Sequence, residues 1–298
     1  MKLTAPFLFC LVLSGCAVLT DSQVKNINAF AATAKSYSAF PSVVLKERAE
    51  LHLHNEFLTA SQFTDADKIN HRLDTARKYY NTAVQLSAQF DLSLQLIQQY
   101  AGLLAKLSGD NYISGLSAPT TELGQNLCNL VSVYNSKAKD SLPLDLGTSI
   151  SKVVLLVGKE LTKRKQTEAL KEFVLASDTL VQVTMRNLLE AMDGVGELLS
   201  IERDLFVQNY RNVVFAHPDK INYESVKSYY DELTAYNDTE LLCQGVVKAA
   251  KSLAQAHAAL AKNVQTKKDL KEIIGQTQQL ITDVQPMGPI FSQFVKLP

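Results

Sequence analysis

INHRLDTARKYYNTAVQLSAQFDLSLQLIQQYAGLL, residues 69–104, is the most regular stretch of the chain. Apolar side chains recur in it at alternating spacings of four and three residues, and Ser87 is the one polar residue at such a position. The positions are Ile69, Leu73, Ala76, Tyr80, Ala83, Ser87, Phe90, Leu94, Ile97, Ala101 and Leu104. A sustained repeat of this kind places one apolar seam along a helix and winds it slightly left-handed around its neighbours. We therefore predict one helix from about residue 65 to 107, roughly 65 Å long.

Two further repeats have the same spacing. The second contains Leu170, Val174, Ser177, Val181, Thr184, Leu188, Ala191, Val195 and Leu198, and the third contains Cys243, Val246, Ala250, Leu253, His257, Leu260 and Val264. We expect the second helix to continue to about Phe215, with a bend at Gly194 and Gly196. The third is expected to begin near Asp238, behind a connecting segment at 222–236, and to close at Pro286–Pro289 after a shift of register.

Shorter helices are predicted at 22–40, 42–61, 119–139 and 148–163, and no segment alternates with the period of two that strands show. Gly (12 residues) and Pro (8 residues) are sparse, which suits long uninterrupted helices. The predicted fold is all-α: an elongated bundle of long antiparallel helices with coiled-coil-like heptad packing, one domain over residues 22–298. The formal net charge is zero, so no basic excess favours nucleic acid as a partner.

The first residues have the organisation of a signal peptide. Lys2 supplies a positive charge, an apolar run extends from Leu3 to Leu13, and the small residues Ser14 and Gly15 precede Cys16. The run is about half as long as the roughly 20 residues that a membrane-spanning helix needs. This pattern predicts export rather than a transmembrane anchor.

Leu13-Ser14-Gly15-Cys16 resembles the lipobox of bacterial lipoproteins. The resemblance implies cleavage that removes residues 1–15, a lipid with palmitate-type acyl chains on Cys16, and a short tether over residues 16–21. Ala17 after the cysteine implies sorting to the periplasmic face of an outer membrane. The alternative is an ordinary signal peptide that contains a cysteine by chance.

Of the four cysteines, Cys10 would be lost with the signal peptide and Cys16 would be lipidated, so Cys128 and Cys243 remain for pairing. In an oxidising compartment they can form one disulfide. Each is expected near a helix N-terminus, so they could meet if the two helices run parallel at similar height. The alternative is two separate buried thiols.

Residues with catalytic or metal-binding chemistry are few. His52 and Glu56 share a helical face at i, i+4, but two ligands do not make a metal site. His257 falls on an apolar seam, where a hydrogen-bonded core histidine is the expected role. The chain has no H-E-x-x-H, nucleophile elbow or C-x-x-C motif. We predict no catalytic, cofactor or metal residues.

Acidic pairs occur at Asp65 and Asp67 and at Asp231 and Glu232. Both pairs are predicted to be helix-start charges that complement the macrodipole.

Two segments suit a membrane or a partner. The apolar run 153–157 lies before the basic run 163–165, a combination that can rest on an anionic membrane, although a buried helix followed by a charged turn is the preferred interpretation. The apolar C-terminal segment 287–295 is expected to dock on the bundle or, if free, to bind a partner.

The sequence therefore favours a non-catalytic, lipid-anchored protein of the bacterial cell envelope that binds another envelope protein as a structural or adapter module. One alternative is a membrane-active helical protein that rearranges to insert into a bilayer. A second is an enzyme with a cleft between helices. The oligomeric state stays open, because heptads pack equally within or between chains.

Overall fold

The computed structural model describes residues 20–108, 118–137, 142, 163–266 and 270–294. The α-helices are α1 (Asp21–Tyr37), α2 (Pro41–Ala60), α3 (Ala66–Ser108), α4 (Ala118–Lys137), α5 (Lys163–Met192), α6 (Val195–Tyr210), α7 (Tyr223–Thr266), α8 (Leu270–Val284) and α9 (Met287–Phe294). A π-helical turn (Arg211–Phe215) and a 3₁₀ turn (Pro218–Lys220) separate α6 from α7. No strand occurs within these ranges, so the all-α prediction is confirmed. The predicted helix at 148–163 lies almost wholly outside them.

Helix α3 confirms the heptad prediction. Every predicted seam position from Ile69 to Leu104 is buried or half-buried, and none is exposed. Ser87 is fully buried, and its hydroxyl donates to the Ser42 carbonyl at 3.2 Å, which satisfies the one polar position of the seam. In the last turns Leu103 is buried as well, because helices cover α3 on several sides there.

The starts of the first three helices follow local chemistry. Thr20 and Gln23 form a capping box at α1, and Pro41 occupies the first turn of α2, where its missing N–H costs nothing. The Asp65 carboxylate accepts from the backbone N–H groups of Asp67 (2.9 Å) and Lys68 (3.3 Å) at the start of α3. The prediction of helix-start charges is confirmed for this acidic pair.

The second long helix breaks rather than bends. Gly194 has φ 71°, the left-handed region that favours glycine, and separates α5 from α6. The buried positions Leu188, Met192, Val195 and Leu199 keep spacings of three and four residues across this break. Leu199 is thus the buried residue there, whereas Leu198, the predicted last seam residue, is 43% exposed.

The predicted start of the third helix near Asp238 is wrong, because α7 runs unbroken from Tyr223 to Thr266 and includes the supposed connector 222–236 almost entirely. The Thr239 hydroxyl donates back to the Ala235 carbonyl at 2.7 Å instead of capping a helix start.

The acidic pair 231–232 therefore lies inside a helix, and its prediction as helix-start charge is also wrong. Asp231 pairs with Lys227 one turn earlier, and Glu232 lies 3.1 Å from His54 of α2.

The C-terminal segment docks on the bundle, as predicted, but it does so as helix α9 beyond the expected helix stop. Pro289 is accommodated in the first turn of α9. Met287 is 1% exposed and packs where Gly245 of α7 has no Cβ, and the ring of Phe291 lies 5.0 Å from that of Phe40.

The bundle has two distinguishable ends. Tyr37 of α1 donates to the Val246 carbonyl of α7 at 3.1 Å, and the ring of Phe30 lies 5.8 Å from that of His257. Helix α1 is thus antiparallel to α7, and its first residues point towards the C-terminal end of α7. Residues 211–222, the hairpin tip, lie at the other end, and the 44 residues of α7 span about 66 Å between the two.

Candidate functional site

The predicted lipidation residue Cys16 and the apolar run 153–157 lie outside the described residues. Cys243 lies buried on α7, 2% exposed, and burial raises the pKa of its thiol to about 11. The side chain of Cys128, on α4, is outside the described residues. The disulfide between these two cysteines therefore stays a prediction.

His52 and Glu56 do not converge on one point in the structure. Glu56 is held by the Arg72 guanidinium at 2.8 Å, whereas His52 Nδ1 lies 3.3 Å from Glu202, in an alignment too poor for a hydrogen bond. Each side chain thus faces a different helix. Among the residues that the structure describes, no group of three or more metal-ligating side chains is assembled.

A chain of three polar side chains crosses the core of the bundle. His257 Nε2 lies 2.7 Å from the Tyr100 hydroxyl, and its Nδ1 lies 2.9 Å from an Asp178 carboxylate oxygen. Gln182 donates to the same carboxylate at 3.3 Å. The expectation that His257 is a hydrogen-bonded core histidine is confirmed, since both ring nitrogens have partners.

The surroundings shift the pKa values of two members of this chain, Asp178 and Tyr100. The hydrogen bond from His257 lowers the pKa of Asp178, and burial raises the pKa of Tyr100 well above its ordinary value. Histidine and tyrosine are both 0% exposed, while the carboxylate is 40% exposed. The order Asp–His–hydroxyl matches that of a nucleophile triad, but here the hydroxyl is sealed in the core, where it can only stabilise the packing.

A polar seam joins α2 to the α6–α7 hairpin. The Arg48 guanidinium makes two hydrogen bonds to the Glu202 carboxylate, at 2.9 and 3.3 Å, and both side chains are largely buried. On the outer side, His54 Nδ1 lies 3.1 Å from Glu232, and that contact raises the pKa of His54. Sequence reading missed this seam, because its partners are far apart along the chain and match no motif.

The seam ends in an amide cluster near the hairpin tip. Asn209 of α6 donates to Asn55 at 2.7 Å and to Thr59 at 3.0 Å, and it accepts from Gln62 at 3.0 Å. These contacts give α6 a polar inward face along part of its length.

Aromatic rings fill the interior of the hairpin. Phe206 lies 5.7 Å from both Tyr229 and Tyr236, and Tyr210 lies 5.2 Å from Phe215. The Tyr210 hydroxyl donates to the Ser225 carbonyl at 2.5 Å. The hairpin therefore has its own aromatic packing in addition to its contacts with α2.

A surface pocket of about 390 Å³ opens beside the start of α3. It is lined by Phe63, Asp67, Lys68, His71 and Arg72. Of its polar lining residues, Arg72 is bound to Glu56 of α2.

Across the described parts of the chain, every helix is too short or too polar to cross a membrane. Comparison of the chain with protein-family models, with curated proteins and with solved structures finds no match.

Proposed function

We propose that the protein is a lipid-anchored, non-catalytic adapter of the bacterial cell envelope, on the periplasmic face of an outer membrane. The observation that carries the proposal is the sequence Leu13-Ser14-Gly15-Cys16 behind Lys2 and a short apolar run. A lipid on Cys16 would hold the membrane-proximal end, since each buried CH₂ group of an acyl chain contributes about 0.8 kcal/mol.

The arrangement of the helices supports this proposal. Helix α1 begins at Asp21, five residues after Cys16, and its first turn is closed by a capping box. A tether of that length would keep the body close to the membrane surface. The hairpin tip would then lie roughly 60 Å away, at the far end of α7. The distance between the membrane and the hairpin tip would thus be set by the length of the helices.

The side-chain chemistry is consistent with binding rather than catalysis. The Asp178–His257–Tyr100 chain has its histidine and hydroxyl fully buried, and the Arg48–Glu202 pair is satisfied between two helices. Groups that are fully paired within the core stabilise the fold and are not positioned to meet a substrate.

Metabolic labelling with an alkyne analogue of palmitate tests the anchor. The wild-type chain should carry the label, Cys16→Ser should lose it, and Cys10→Ser should keep it, because Cys10 belongs to the segment that is removed. Mass spectrometry should show that the mature chain begins at Cys16. Label that persists in Cys16→Ser would refute the proposal.

Dye leakage from anionic liposomes tests the membrane-active alternative. Residues 17–298 without lipid should neither cosediment with the liposomes nor release dye. Leakage would favour the alternative and direct attention to residues 144–165.

A further inference from the structure

A stripe of apolar side chains lies exposed on the outward face of α6. Leu198 is 43% exposed, Ile201 50% and Leu205 46%. Their spacing of three and four residues places them on one face of the helix. Leu199 and Phe206, about 100° further around the helix, are buried. Three large apolar residues of α6 therefore lie outside the core.

Leu198, Ile201 and Leu205 are hereafter the apolar stripe. Arg203 lies on the other side of α6, about 140–160° around the helix from them. There its guanidinium contacts Glu240 and Asn237 of α7, at 3.3 and 3.2 Å.

Carboxylates flank the apolar stripe along α6. Asp193 precedes the helix, and Glu197 and Asp204 directly precede Leu198 and Leu205 in the sequence. These three residues are the acidic frame. Arg203, the cation of α6, contacts Asp204 at 3.6 Å. Three carboxylates against one guanidinium leave a net negative charge. Towards the hairpin tip, the π-helical turn that follows α6 begins with the basic residue Arg211.

We propose that the apolar stripe docks an amphipathic helix of a partner protein, whose flanking lysines and arginines face the acidic frame. Leu198 to Leu205 spans about two helical turns, which matches the i, i+3, i+7 anchors of helix-in-groove recognition. The inference deepens the adapter function proposed above and rests on it for its setting in the envelope.

The charge of the frame separates this partner from two others. A symmetric contact between two copies of the chain would bring the same patch against itself, and like charges would then oppose one another. An anionic lipid surface would be repelled by the same carboxylates. A basic helix is the occupant that both the apolar and the charged parts of the surface favour.

Fluorescence anisotropy with two synthetic peptides tests the proposal on residues 17–298. Both peptides are helical and place leucines at i, i+3 and i+7; one has lysines beside the leucines, and the other has glutamates. The lysine peptide should bind saturably, about tenfold or more tighter than the glutamate peptide, and more weakly as salt is raised.

Matched variants assign the binding to the surface. Replacing Leu198, Ile201 and Leu205 by Gln should weaken binding about tenfold or more, since it removes the central anchors. A control triple, Leu86→Gln, Val226→Gln and Ile274→Gln, removes three other exposed apolar residues and should leave the affinity unchanged. Circular dichroism melting should show that both triples fold.

A third variant tests the charges. Asp193→Asn, Glu197→Gln and Asp204→Asn together should weaken binding and flatten its salt dependence.

Four results would overturn the proposal: no saturable binding up to about 1 mM lysine peptide; equal binding of the two peptides; equal loss in the control triple; or self-association that the stripe triple abolishes. Palmitate labelling is independent of all four. If the chain carries the palmitate label but fails the peptide test, the proposed lipid anchor stands and only the proposed docking surface is refuted.

Discussion

Tyr100→Phe removes one hydroxyl from the core and tests the buried polar chain. The ring should keep its packing against Phe173, 5.3 Å away, while His257 Nε2 loses its partner at 2.7 Å. A buried polar atom left without a partner costs about 1–3 kcal/mol. With a urea m-value near 3 kcal/mol/M for a chain of this size, the midpoint of unfolding should fall by roughly 0.3–1 M.

A double-mutant cycle shows whether the hydrogen bond is the cause. His257→Leu removes the partner of both Tyr100 and Asp178 and should destabilise the protein more than Tyr100→Phe does. The double variant removes both ends of the tyrosine–histidine bond, so Tyr100→Phe should cost about 1–2 kcal/mol less in that background. Tyr230→Phe, at a tyrosine that is 68% exposed, serves as the control and should change nothing.

Urea unfolding followed by circular dichroism at 222 nm measures the wild type and all four variants. A midpoint shift below about 0.1 M for Tyr100→Phe would show that the histidine nitrogen is not left unsatisfied in the core. Effects that add within about 0.5 kcal/mol would show that the two side chains are not coupled. Either result would refute the reasoning.

Three further predictions concern single positions. The buried imidazole lowers the pKa of Asp178, so the ionised carboxylate stabilises the fold above its ordinary pKa of 3.8. That stability is lost as the pH falls through the lower pKa of the folded state. Asp178→Asn should therefore flatten the acid unfolding curve in this range, and an unchanged curve would contradict the prediction. A Cβ on Gly245 would lie 2.8 Å from Met287 Cγ. The resulting overpacking, about 1–3 kcal/mol, should outweigh the roughly 1 kcal/mol gained in helix propensity. Gly245→Ala should therefore destabilise the wild type but stabilise a Met287→Ala background, and the same sign in both would contradict this prediction. The third experiment uses residues 17–298 with Cys128→Ser. Cys243 should react with Ellman's reagent at pH 8 about 100-fold more slowly in the native protein than after unfolding, because the thiol is buried and its pKa is about 11. Rapid reaction of the native protein would contradict this prediction.

The helices with strong local patterns could be predicted from the sequence. The seam from Ile69 to Leu104 is set by a short-range repeat, and its positions are buried whichever helices cover them. Helix boundaries are harder to predict where local sequence preferences and tertiary packing disagree. Residues 237–240 look like a helix start, but burial of Tyr236, whose hydroxyl donates to the Leu51 carbonyl at 3.1 Å, keeps α7 continuous there.

The candidate site was only partly predictable. His257 could be assigned to the core because it falls on an apolar seam. Its partners could not be identified, since Asp178 and Tyr100 lie 79 and 157 residues away along the chain. The pairing of Arg48 with Glu202, 154 residues apart, depends in the same way on how the helices pack.

A left-handed glycine separates α5 from α6, and a comparison of two neighbouring glycines tests this break. At Gly194 a Cβ would meet no atom within 4 Å, so Gly194→Ala costs only the left-handed backbone, about 1–2 kcal/mol. Gly196 lies inside α6 with equally open surroundings, so Gly196→Ala should instead stabilise by about 0.5–1 kcal/mol. Thermal melting should therefore give opposite signs two residues apart. Equal signs would mean that α5 and α6 are not separated by a left-handed residue.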